Sequence, residues 1–363
     1  MKSRWIYAGF ALALSFAGCM KEDLPWDPEP PLPRGPGPGI FVVNEGNFMY
    51  GNASLTYYDP DTREVREDVF YATNGLPLGD VAHSMTIRDS LGYVVVNNSG
   101  RIYIFHTGTF EVKGKITGLT SPRYMHFVSD TKAYVSDLYA RAIAIVNTES
   151  REITGSIPLS NGNPDFYQHA SEQMLQYDRF VFTNCWSYDN QILVIDTELD
   201  RVIDSVEVLK QPNSMVMDRF HSLWVLCDGG TEGSPYGHEA GGLLEISAGA
   251  TEARIVWRFS PEEHPTDLRI NSTGDTLYYI NGDIYRYAIR GTEDPVLFIE
   301  SPYPENSWMG YYSLDVDPIS SEVYVADAMD FVQPGRIYRF TPQGEPLDTF
   351  RSGIAPGAFC FNF

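Results

Sequence analysis

Residues 121–157, SPRYMHFVSDTKAYVSDLYARAIAIVNTESREITGSI, carry the reading that decides the fold. Four apolar runs occupy 123–128, 133–137, 142–146 and 152–157, with polar turn formers at 129–132 and 147–150. Each run has five or six residues and is rich in β-branched and aromatic side chains, which suit a pleated surface and are too short for stable helices. Bounded by turn chemistry, they read as four consecutive antiparallel strands, a small sheet that cannot bury both its faces alone.

Working outward, the same phrase occurs seven times along the chain. Its second run ends at Asn44, Asn97, Asp137, Asn184, Asp228, Asn281 and Asp327, at intervals of 40 to 53 residues. Its third run begins at Leu55, Ile102, Ile143, Ile192, Leu243, Ile284 and Ile337. Repeats of this length, each one small sheet, mark radial arrays. The frame is shifted at the ends. The first unit opens at its second strand, residues 40–44, and the last inner-strand phrase, residues 356–361, has nothing after it. If those two segments share one sheet, the ring closes. The expected fold is therefore all-β, a seven-bladed β-propeller of four-stranded antiparallel blades over residues 40–363, closed by the N- and C-terminal strands in one blade.

Residues 1–39 stand outside the array. Lys2 and Arg4 precede an apolar stretch at 5–17 that is too short to span a bilayer. Residues 1–18 thus read as a lipoprotein signal peptide, with Cys19 as the lipidation site. Phe16-Ala17-Gly18-Cys19 resembles a bacterial lipobox, departing from it at Phe16, where Leu is preferred. Met20-Lys21-Glu22-Asp23 resembles the acidic export signal of Bacteroidetes surface lipoproteins, which implies a lipid-anchored protein of the outer membrane facing the cell exterior. Residues 19–39 form a stalk: seven of the fourteen residues 25–38 are proline, and such runs stay extended because they neither continue a helix nor donate ladder hydrogen bonds.

The net charge of −22 repels phosphate backbones and argues against a nucleic-acid partner. Beyond Cys19 the cysteines are Cys185, Cys227 and Cys360, an odd number without zinc-site or disulfide-framework spacing. Cys227 and Cys360 fall inside strand patterns and read as small buried hydrophobes; Cys185 is placed one residue past a strand end and read as unpaired.

Function is expected on one face. In this topology the loops joining strands two and three, and the segments leading into each inner strand, gather around the mouth of the central funnel, whereas the loops on the other face are short turns. The mouth loops are irregular and aromatic: Phe48 and Tyr50, Tyr139, Trp186 and Tyr188, and Phe331, with His169 and Trp308 on the segments leading inward. A turn needs no large aromatic residue, so their clustering points to a contact surface. Deeper positions are polar and vary from blade to blade: His83, Arg123 and Tyr124, Glu172 and Gln173, Asn213, Asp267, and Tyr312. Variety suits an asymmetric polar ligand. The seven Asn and Asp residues ending the second strands are regular and read instead as loop-capping scaffold. No Gly-x-Ser-x-Gly elbow, His-Glu-x-x-His or phosphate loop occurs.

Tyr134-Val135-Ser136-Asp137 and Gln191 to Thr197 resemble the repeat phrase of the YncE-like, or YVTN-repeat, seven-bladed propellers. With the lipobox, the stalk and the opening Phe41-Val42-Val43-Asn44-Glu45-Gly46-Asn47-Phe48, the whole chain resembles the BtuG family of Bacteroidetes. That resemblance implies a surface binding lipoprotein that captures cobalamin (vitamin B12) as cargo and delivers it to a TonB-dependent outer-membrane transporter of the BtuB type, without catalysis or a catalytic cofactor. It also implies that the mouth aromatics cover the corrin while Arg123, Gln173, Asn213 and Asp267 bond its amides and nucleotide tail. Two alternatives stay open: a propeller for glycan or other cargo, and a calcium-dependent lactonase-like hydrolase with Glu45, Glu172, Asn184 and Asp267 as metal donors.

Overall fold

The computed structural model describes residues 39–159, 169–291, 293–304, 307 and 309–363. Seven four-stranded antiparallel sheets surround a central axis. Blade 3, the stretch that decided the fold, runs Pro122–Phe127, Lys132–Asp137, Ala142–Asn147 and Glu152–Pro158 from the axis outward. Blade 1 is composite. Its inner strand is Pro356–Asn362 and its second strand Gly39–Asn44, with Ile40 opposite Phe361 and Val42 opposite Phe359. The inner strands Ala82–Arg88, Pro122–Phe127, Ser171–Tyr177, Pro212–Met217, Thr266–Ile270, Tyr311–Val316 and Pro356–Asn362 each touch the next around the axis, and the last touches the first. The expected ring, and its closure by both termini, are present.

Two-sided burial explains why the second strands are continuous apolar runs rather than alternating ones. Gly39–Asn44, Leu223–Cys227 and Val323–Asp327 are buried at every residue. Among the described residues the core divides into seven hydrophobic clusters, one per gap between neighbouring blades. Phe41, Val94 and Phe105 fill the gap between blades 1 and 2, and Ile40, Tyr324 and Phe359 the gap where the ring closes. Outer strands such as Glu152–Pro158 are mostly exposed.

Two details differ from the sequence reading. The outer strand of blade 1 is only Val65–Arg66, and a one-turn helix, Val69–Asn74, follows it. Asp68 caps that helix by accepting the Tyr71 amide, and Phe70 drops into the gap between blades 1 and 2 against Tyr103. Cys185 is the last residue of the strand Phe180–Cys185 rather than one past it. Cys185, Cys227 and Cys360 are all buried and free.

The residues ending the second strands act as scaffold. Asp137 accepts the amides of Thr120, Ser121, Tyr139 and Ala140. Asn97 donates to Ser121 and Pro122, and Asn184 to Pro212, each in the next blade. Asn44 accepts from Ser352 and Gly353 of blade 7. These short polar groups fix loops and tie adjacent blades together.

Candidate ligand-binding face

All seven inner strands break register near the funnel mouth: at His83, Arg123–Tyr124, Glu172–Gln173, Asn213, Asp267–Leu268, Tyr312 and Gly357. A bulge inserts an extra residue and re-aims its side chain, so the positions chosen from the sequence as the funnel wall are the ones that leave the ladder. Their side chains meet across blades. The Arg123 guanidinium Nε donates to both carboxylate oxygens of Glu172 at 2.8 and 2.9 Å, and His83 Nε2 lies 3.7 Å from Glu172. Tyr312 Oη donates to Glu45 at 2.8 Å. Gly357 makes room for that carboxylate: a Cβ there would lie 2.5 Å from Glu45 Oε1.

Below this ring sits a second charged layer. Arg269 pairs with Asp267 at 2.8 Å and with Asp315 at 3.3 Å. Burial raises Asp315, outweighing the lowering by Arg269, and its carboxyl is pushed up to about 6. Asp267 is likewise raised, mainly by burial. Burial also opposes the charge on Glu172, but Arg123 and His83 outweigh it and hold that carboxyl below the usual range. Burial and the Glu172 charge push Tyr124 up to about 12, so its phenol stays protonated as a donor. Burial lowers His126, whose Nε2 is 3.0 Å from Gln176 Oε1.

Several wall groups already have partners in the scaffold. Gln173 accepts the Met215 amide, Asn213 donates to the Pro265 carbonyl, and Asp267 accepts the Leu314 amide, each reaching the next blade or the segment leading into it. Ser84 and Ser313 donate to the carbonyls of Arg123 and Pro356 in the same way. Much of the wall is thus held in place by the scaffold itself, which lowers the ordering cost of binding.

The mouth carries two aromatic flanks. Over blades 7 and 1, Phe48, Met49 and Tyr50 are 65%, 78% and 80% exposed, beside Phe331 and Val332. Asn47 donates to the Phe331 carbonyl, joining the two loops, and Phe331 meets Tyr312 edge-on at 5.0 Å. Over blades 3 to 5, Tyr139, Tyr188 and Tyr236 are exposed, and the last two rings lie 4.9 Å apart. Trp186 Nε1 faces Asp228 at 3.5 Å. His169 is pinned by Asp189, which accepts both its backbone amide and its Nδ1–H. A cleft of about 700 Å³ opens beside the first flank between blades 6 and 7, lined by His264, Asn281, Tyr303, Met309 and Tyr311 among others. Trp308 and Cys19 lie outside the described residues.

Glu45, Arg269 and Asp315 join the site without having been singled out as ligand contacts. Arg269 and Asp315 had a signal: each is a charge inside an inner-strand phrase, next to a leucine, Leu268 or Leu314, that faces the core and so pointing the other way. Each of the four calcium-donor candidates has a protein partner. Glu172 pairs with Arg123, Asp267 with Arg269, Glu45 with Tyr312 and Asn184 with Pro212. Among the described His, Cys, Asp and Glu side chains the one group of three close enough to share a single ion is His169, Cys185 and Asp189.

The family model described as "Domain of unknown function (DUF5074)" matches residues 38–347. No curated protein matches the chain. Solved structures share the fold at low identity. A quinonprotein alcohol dehydrogenase-like protein from Bacteroides thetaiotaomicron superposes with a TM-score of 0.65 at 16% identity, covering 90% of this chain and 78% of that one. The periplasmic gluconolactonase PpgL of Pseudomonas aeruginosa gives 0.63 at 12%, covering 90% and 99%. Hydrazine synthase of Kuenenia stuttgartiensis gives 0.61 at 12%, covering 77% and 89%. At these identities the likeness speaks to the propeller alone.

Proposed function

The chain belongs to the DUF5074 family, whose description states no function, and from that premise we propose that it is a cell-surface binding lipoprotein. Its cargo is cobalamin, which it captures at the funnel mouth and delivers to a TonB-dependent outer-membrane transporter. The observation that carries this reading is the pair of exposed aromatic flanks, Phe48, Met49, Tyr50 and Phe331 on one side and Tyr139, Tyr188 and Tyr236 on the other, around a charged and hydrogen-bonded wall. Clustered exposed apolar groups of this size mark contact surfaces. A corrin is a broad apolar ring edged with amides, and the two flanks suit its faces and rim while the wall suits its amides. The lipobox-like segment ending at Cys19 and the opening at 41–48 supply the cargo class, the anchor and the transporter partner through the family resemblance.

The direct test is isothermal titration of the purified chain with cyanocobalamin. Saturable heat and quenched tryptophan emission are expected. No heat and no quenching would remove the corrinoid assignment, and saturable heat with an oligosaccharide instead would transfer the same face to glycan capture.

A further inference from the structure

We propose that His169, Cys185 and Asp189 form a site for one borderline-soft divalent cation, zinc foremost, which clamps the loop carrying Trp186 and Tyr188. The imidazole nitrogen, thiol sulfur and carboxylate oxygen all lie within 4.8 Å of one another. Tetrahedral zinc, with bonds of about 2.0–2.3 Å, spaces its donors roughly 3.3–3.8 Å apart, so the three side chains need only local adjustment to bind one ion. The three residues reach this point from separate elements. Cys185 ends the strand Phe180–Cys185, His169 lies just before the inner strand Ser171–Tyr177, and Asp189 stands in the loop before the strand Gln191–Asp196.

Asp189 already holds His169 beside Cys185, through the backbone amide at 2.8 Å and Nδ1 at 2.6 Å. Cys185 is fully buried, which closes it to an external electrophile, so nucleophilic chemistry does not account for the group. Imidazole and thiolate donors select zinc over calcium or magnesium, which take oxygen.

The balance is simple. The proton between His169 Nδ1 and Asp189 moves to Nε2, the thiol proton leaves to solvent, and bonds form from the cation to nitrogen, sulfur and oxygen. Thiolate and carboxylate neutralise the two positive charges. A water would complete the four-coordinate shell. Trp186, Ser187 and Tyr188 then lie between two ligands four positions apart in the chain, so the cation pins one aromatic flank. Only this last consequence rests on the proposed capture function.

The test is cobalt(II) titration of the purified chain after chelator treatment. Sulfur-to-cobalt charge-transfer absorption that saturates at one equivalent and is displaced by zinc is expected. Cys185→Ala should abolish that band, and His169→Ala and Asp189→Asn should each weaken cobalt affinity at least about tenfold, with unchanged far-ultraviolet circular dichroism. If Cys185→Ala does not fold, the other two variants decide alone. No cobalt uptake, or cobalt affinity unchanged in both of those variants, overturns the site whether or not cobalamin binds.

Discussion

At the residue scale the funnel wall is a set of buried charges held in balance. Glu172 is 3% exposed and answers Arg123 and His83 together. Replacing it by Gln leaves Arg123 buried without a counter-charge, a loss of about 3 kcal/mol; urea unfolding of Glu172→Gln should show it, and an unchanged midpoint would contradict the pairing. Its folded pKa is depressed, so the stability it supplies is present above its unfolded value and lost as pH falls through the folded one. Asp315 has the opposite sign. Its folded value is about 6 against an ordinary 3.8, so its contribution is full below 3.8 and lost as pH rises through 6. Asp315→Asn carries no such loss. Relative to the native chain it should gain on the order of 2 kcal/mol between pH 4 and 7, read as the difference between the two unfolding free energies across that range. A constant difference would show that Asp315 is ionised throughout.

At the element scale the inner strand of blade 1 carries the closure. Pro356–Asn362 pairs along Gly39–Asn44 and packs between the inner strands of blades 7 and 2, with Phe359 buried in the closing gap. Deleting residues 356–363 removes that wall, exposes both neighbours and bares the edge of Gly39–Asn44. The truncated chain should show no cooperative thermal transition by circular dichroism; a melt like that of the full chain would refute closure as the source of stability. The need for this strand was legible in the sequence because the repeat phrase is out of frame at the two termini. The blades were legible for a related reason: burial on both faces writes a continuous apolar run, and seven such runs are hard to mistake. The helix Val69–Asn74 was not, since one turn gives no period to read and Val69 and Phe70 serve a strand equally well. In the site, the bulged positions were readable as the start of each inner strand. Their partners were not, because Arg123 with Glu172 and Tyr312 with Glu45 pair residues 49 and 267 positions apart, and no spacing rule links different blades.

At the scale of the whole molecule, what matters is that the two aromatic flanks stand on different parts of the ring. Phe331 belongs to blade 7 and Tyr188 to blade 4, with the charged wall between them. A ligand smaller than the mouth can rest on one flank only, whereas a corrin-sized ligand bridging the funnel must use both. The two cases separate in a mutant cycle. Removing one aromatic contact costs about 1.4 kcal/mol, or tenfold in affinity, and residues on separate blades add nearly independently. Phe331→Ala and Tyr188→Ala should therefore each weaken cyanocobalamin binding about tenfold and together about a hundredfold. Both side chains are substantially exposed, at 39% and 42%, so the thermal midpoint should move little. If one substitution weakens binding and the other leaves it unchanged, the ligand sits on a single flank, and capture belongs to the cleft between blades 6 and 7 or to the loop around Tyr188, not to the mouth as a whole.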